Sequence, residues 1–126
     1  MSEPLGELTV RTVAMPADAN AGGDIFGGWV LAQMDIAGGI AAYERARGRT
    51  ATVGIEAMSF LQPVHVGDVL CVYTRILRTG RSSIRIGIEA WVRRQLVPGR
   101  LKVTEGTFTF VALAESGRTR ALPPEA

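Results

Sequence analysis

One stretch of this chain repeats its apolar residues with a helical period, and every other regular stretch reads as strand. From Gly27 to Arg47, the residues Val30, Met34, Ala37 and Ala41 recur three to four positions apart. The segment closes on "YERARGR", whose arginines suit a helix C-terminus before Gly48. A helix of that span is roughly 30 Å long. Before it stands "LGELTVRTVAM" (Leu5–Met15), then the loop "PADANAGGD". After it come "TATVGIEAMSFL" (Thr50–Leu61), halted near Pro63, and "VLCVYTRILR" (Val69–Arg78). A strict alternation follows, with Ile84, Ile86, Ile88, Ala90 and Val92 on one face and Arg85, Gly87, Glu89, Trp91 and Arg93 on the other. "LKVTEGTFTFVAL" (Leu101–Leu113) is the last strand, and "ESGRTRALPPEA" reads as tail.

A single helix of that length has only a sheet to bury itself against. The order β–α–β–β–β–β therefore predicts an α+β fold, an antiparallel β-sheet wrapped around one long central helix, with successive strands after the helix joined as hairpin neighbours. At 126 residues this is one domain, taken as residues 5–123 with short tails at 1–4 and 124–126. The two glycines inside the helix, Gly38 and Gly39, each cost about 1 kcal/mol against alanine, which close packing of helix on sheet would explain.

Composition narrows the function classes. Hydrophobic residues make up 47% and charged residues 21%, as in folded soluble proteins. No membrane-spanning run and no signal-peptide pattern is present, so a cytoplasmic protein without membrane partners is expected. Cys71 lies in an apolar strand and reads as a buried thiol. A net charge of +2 is too slight for a nucleic-acid footprint. All the basic residues except Lys102 are arginine, the better fork for phosphate oxygens, although codon usage explains the bias as readily.

Polarity gathers where the helix begins. Asp35 sits between Met34 and Ile36, where a carboxylate is costly unless it is used in chemistry or satisfied by a cap or a neighbouring subunit. Asn20, Gly22, Gly23 and Asp24 form a polar, flexible approach, and Gly27 and Gly28 bring the chain onto the helix. Bare amides there would make an anion or oxyanion site; alternatively Asp24 simply caps the helix. There is no G-x-S-x-G elbow, no metal-ligand spacing, and one histidine, His65, in a turn-like "PVHVGD". A carboxylate acting as base or nucleophile beside an amide-lined hole remains, which suits acyl transfer to water.

Four blocks in order, "RTVAMPADANAGGDIFGGWVLAQMDIAGG", "MSFLQPVHVGDV", "GRSSIRIGIEAWVRR" and "VTEGTFTFVAL", resemble the bacterial YciA-type acyl-CoA thioesterases of the hotdog-fold superfamily. The resemblance implies hydrolysis of acyl-CoA to a carboxylic acid and coenzyme A, with no metal or prosthetic group as cofactor. It implies Asp35 as catalytic carboxylate, Asn20 as the residue orienting thioester or water, and the Gly27 and Gly28 amides as polarisers of the carbonyl. Asp35 and Asn20 would come from different subunits of a dimer, with three dimers forming a hexamer. It further implies that Gly80, Arg81, Ser82 and Ser83, with Arg93 and Arg94, hold the coenzyme arm, and that Phe26, Met58 and Phe60 line the acyl channel. The alternative is a non-catalytic acyl-CoA-binding regulator on the same fold. A hotdog hydratase would want a histidine at the helix start, which this chain lacks.

Overall fold

The computed structural model describes residues 3–56 and 58–125. The terminal residues of the expected tails, and position 57 within the expected second strand, lie outside that range. Strand β1 (Glu7–Val13) leads through a short 3-10 turn (Pro16–Asp18) to helix α1 (Gly27–Ala46). Strands β2 (Thr50–Ile55), β3 (Val69–Thr79), β4 (Ser83–Arg93) and β5 (Leu101–Ala112) follow. They form one antiparallel sheet in the order β1-β3-β4-β5-β2.

That order corrects one expectation. β3–β4 and β4–β5 are hairpins, but β2 pairs with β5 at the far edge, so the β2–β3 connection crosses past β5 and β4. The strand expected over Thr50–Leu61 also ends at Ile55, where the chain leaves the regular ladder. It stays tethered to β5 by Glu56 N–H to the Thr107 carbonyl, by Leu61 N–H to the Val103 carbonyl, and by the Thr104 hydroxyl to the Ser59 carbonyl.

The alternation in β4 builds the core. Ile84, Ile86, Ile88, Ala90 and Val92 are buried under the helix with Val30, Met34, Ala37, Phe108 and Phe110. The opposite face is not uniformly solvated: Glu89 and Trp91 are buried there too. The Trp91 indole N–H donates to Glu89 Oε1 at 2.9 Å, and the Leu5 N–H reaches the same oxygen at 3.4 Å. The N-terminal segment is thus tied across the back of the sheet.

The paired helix glycines have different reasons. A Cβ on Gly38 would stand 2.7 Å from both Ile88 Cδ1 and Phe110 Cζ, so helix and sheet pack too closely here for a side chain. A Cβ on Gly39 would meet nothing within 4 Å. The outward side of α1 is apolar as well, with Ile36, Ile40 and Tyr43 exposed. Gly38→Ala should destabilise the protein by about 1–3 kcal/mol through overpacking, read as a lowered denaturant midpoint at equal protein concentration.

Candidate functional site

The helix starts without a side-chain cap. Its N-cap is Phe26, and no side chain bonds to the first turn, nor does any acidic residue stand there. Asp24, two residues upstream, instead makes a β-bridge with His65. The Gly27 and Gly28 amides find no acceptor among the described residues. Two donors at the positive end of a helix dipole are therefore left open to a ligand. Gly27 borders a cleft of about 320 Å³ lined also by Ile25, Val30, Phe60, Leu61 and neighbours in the connection up to Val64. Gly27 and Phe60 share this cleft, while Phe26 is exposed beside it. Met58 instead packs against β5, with its Cγ 2.8 Å from where a Cβ on Gly106 would stand.

Asn20 lies in the exposed loop ahead of the helix. Its side-chain oxygen accepts from the Gly22 N–H at 2.9 Å and the Asp24 N–H at 3.2 Å. The loop backbone closes on itself through Asn20 N–H to the Asp24 carbonyl at 2.7 Å. This fixes which way the side-chain amide faces: the oxygen is used within the loop, and the NH₂ remains to donate outward.

Asp35 is two turns further along α1 and half-buried. The Thr52 hydroxyl donates to its Oδ1 at 2.6 Å. Thr52 lies opposite Phe110 on the helix-facing side, beside a register shift between Thr52 and Gly54 that leaves Val53 unpaired and exposed. The carboxylate is thus satisfied on one oxygen by its own chain, with the other left for a proton or a carbonyl carbon. Thr52 carried no signal in the sequence, where a threonine in a strand is unremarked; only strand–helix packing reveals it. Among the described residues no group of His, Cys, Asp and Glu is gathered as metal ligands would be.

The two expected substrate-binding basic regions are far apart. Ser83 begins β4 and Arg93 ends it, so they stand about 34 Å apart and do not serve one small ligand within a protomer. Arg94 is moreover already engaged. Its guanidinium bonds to Asp68 through Nε at 3.0 Å and Nη2 at 2.9 Å, and to the Pro63 carbonyl at 3.0 Å. It braces the crossing connection rather than presenting a free cation. Arg93 is exposed at the same end.

The other end of the sheet is differently charged. Arg47, Arg49, Arg78, Arg81 and Arg118 cluster where α1 ends, β2 begins and β3 turns into β4. None of them has a carboxylate partner among the described residues. The turn Gly80–Ser83 sits in this basic end. The register Thr52–Phe110–Ile84 places it about two strand spacings, or about 10 Å, from the Asp35–Thr52 pair.

The chain matches the thioesterase superfamily over residues 22–98. It is 52% identical over 125 residues to the acyl-CoA thioester hydrolase YciA of Escherichia coli K12, covering 97% of this chain and 95% of that one. A hexameric thioesterase from Yersinia pestis superposes with a TM-score of 0.92 at 54% identity, covering 98% of this chain and 100% of its own. A hexameric broad-specificity acyl-coenzyme A thioesterase superposes with a TM-score of 0.94 at 49% identity, covering 98% and 86%.

The Arg94–Asp68 brace has a pH signature. Burial pushes the Asp68 carboxyl up, but hydrogen bonds from Arg94 and the His65 N–H, with the Arg94 charge, outweigh it and hold the carboxyl below its ordinary value of 3.8. The folded form therefore favours the ionised carboxylate. That stabilisation is fully present above the ordinary value and is lost as pH falls through the lowered one. Arg94→Ala should reduce stability at neutral pH by about 3 kcal/mol, since it strands a buried carboxylate. It should also flatten the acid limb in a series of unfolding curves between pH 2 and 7.

Proposed function

The chain is a member of the thioesterase superfamily, and on that footing we propose that it is a YciA-type enzyme hydrolysing acyl-CoA thioesters to a carboxylic acid and coenzyme A. One observation carries the reading: a half-buried carboxylate in an apolar helix, held on one oxygen by Thr52, in a chain whose helix also starts with two unpaired amides. The thioester carbonyl oxygen would accept from the Gly27 and Gly28 amides, which strengthen as negative charge develops there. Asp35 either takes the proton from the attacking water or attacks the carbonyl carbon itself. In both routes a C–O bond forms at the carbonyl carbon, the C–S bond breaks, and the thiolate leaves as coenzyme A and picks up a proton; in the second route water then hydrolyses the acyl–Asp35 anhydride, releasing the carboxylic acid and regenerating the carboxylate. Asn20, with its NH₂ turned outward, would orient the thioester or the water.

The site is completed across a dimer in this reading. Gly27 and Asp35 are eight residues apart on one helix, about 12 Å along its axis, too far for both to act on one carbonyl. A partner with its helix antiparallel would bring Asn20, Gly27 and Gly28 of one protomer against Asp35 of the other. It would also cover Ile36, Ile40 and Tyr43 and offer pairing to the exposed edge strand β2. Three such dimers would make the hexamer. Phe26 and Phe60 flank the cleft where an acyl chain would run, while the Gly80–Ser83 turn with its arginines suits the phosphates of coenzyme A. Arg93 would reach a substrate only from a neighbouring protomer. Coenzyme A enters as part of substrate and product, with no separate cofactor in the scheme, and such a substrate goes with a cytoplasmic location.

Release of free thiol from a panel of acyl-CoAs tests this. The native protein should turn over, and Asp35→Ala should lower kcat by about 10²–10⁴-fold with the oligomer intact. Thr52→Val should lower kcat by about tenfold, the loss of one hydrogen bond to a charged group. Binding of acyl-CoA without any turnover by the native protein would overturn the enzyme reading in favour of a regulator. Single-turnover hydrolysis in heavy-oxygen water, run with and without hydroxylamine, separates the two routes: label in the Asp35 carboxylate, or trapping of an acyl–Asp35 anhydride as the hydroxamate, marks Asp35 as nucleophile.

A further inference from the structure

The segment after β5 reads in sequence as a tail, but the structure ties it down at both ends. The chain reverses through Ala114–Arg118, with Ala114 N–H bonded to the Arg118 carbonyl at 2.8 Å and a β-bridge between Leu113 and Thr119. Arg120 then anchors it. Its backbone N–H donates to the Ala112 carbonyl at 3.0 Å, its Nε to the Leu113 carbonyl at 3.0 Å, and its Nη2 to the Ala46 carbonyl at 2.9 Å. Ala46 is the last residue of α1, so the guanidinium satisfies a carbonyl at the negative end of the helix. Gly48 makes room for it: a Cβ there would stand 2.9 Å from Arg120 Nη2. Further on, Arg45 Nη1 holds the Pro123 carbonyl.

Between these anchors, the Leu122 N–H donates to the Arg81 carbonyl at 2.8 Å. The neighbouring turn carbonyls are also accounted for: Ser82 accepts from Ala112 N–H at 2.9 Å and Ser83 accepts from Gly80 N–H at 2.8 Å. The amides of Arg81 and Ser82, by contrast, find no acceptor among the described residues. At Arg81 and Ser82 the carbonyls are held by the protein while the amides are left over, and two consecutive free N–H groups in a turn are donors that an anion can use. In a planar peptide the C=O and N–H point opposite ways, so a bond from Leu122 to the Arg81 carbonyl turns the Ser82 N–H away from the strap.

We propose that the strap Thr119–Pro123, anchored by Arg120, is a positioning element for the coenzyme A phosphates: it fixes the Arg81–Ser82 peptide so that the Ser82 amide faces the anion. Leu122, through its backbone N–H, and Arg120, through its anchoring of the strap, act on the substrate without touching it. The proposal rests on the reading of Gly80–Ser83 as the turn that holds the coenzyme arm.

The test compares two substrates with the same acyl group, an acyl-CoA and the corresponding acyl-pantetheine, which lacks the phosphates. Leu122→Pro deletes the strap's donor, Arg120→Ala loosens the strap, and Arg120→Lys keeps a donor for the Ala46 carbonyl. The two disruptive variants should raise KM for acyl-CoA by about tenfold, the value of one charge-assisted hydrogen bond. Their kcat, and both constants for acyl-pantetheine, should stay within about twofold, and Arg120→Lys should restore part of the KM. A merely structural strap would degrade both substrates alike, and that result, or an unchanged KM, overturns the proposal. Ser82→Pro, which removes the turn amide itself, separates the failures. If it raises KM for acyl-CoA while Leu122→Pro does not, the strap idea falls and the turn reading stands. If Ser82→Pro leaves KM unchanged, the turn does not hold the phosphates and both fall. Light scattering on each variant confirms that the native assembly is the species assayed.

Discussion

The seating of Gly38 on Ile88 and Phe110 decides where the rest of the molecule falls. A helix carried by a sheet normally rides on side chains; here one turn is brought closer by the absence of a single Cβ. With that contact set, Asp35, one turn earlier, arrives at the height of Thr52 on the edge strand, and the carboxylate gains its partner. Core packing and site geometry are thus one constraint.

The site's chemistry comes from what the fold leaves unpaired. Buried backbone groups are nearly always satisfied, so exposed, uncapped donors in fixed geometry are informative. The start of α1, where Phe26 occupies the cap position without a polar side chain, is one such place among the described residues, and the turn between β3 and β4 is another. One lies at each end of the helix. Within a protomer they are separated by the helix length, and an antiparallel partner would bring opposite ends together. Such a partner would also cover the apolar outer side of α1, which a solitary domain would leave in water.

Charge follows the same division. Arg94 and Asp68 neutralise each other and hold the crossing connection in place, and that end of the sheet becomes structural. The opposite end keeps its arginines without acidic partners among the described residues, a field suited to a polyanionic ligand. Basic residues at the two ends of a sheet therefore mean different things, and pairing decides which.

The amino-acid order by itself determined the elements. The helical period from Val30 to Ala41 and the alternation of Ile84 to Val92 required a long helix on an antiparallel sheet, because those periods are local properties of backbone geometry. It also singled out Asp35, Asn20, Gly27 and Gly28, since polarity and glycine in an apolar helix start are visible without a structure. Strand order was not visible: nothing local distinguishes a hairpin from the crossing that sends β2 to β5. Nor were the partners of charged groups, because Thr52 meets Asp35, Asp68 meets Arg94 and Arg120 meets Ala46 only after distant segments have packed. Sequence sets which residues are able to do chemistry; tertiary structure decides which of them are left free to do it, because a hydrogen bond has to be excluded by geometry before a donor is available to a substrate.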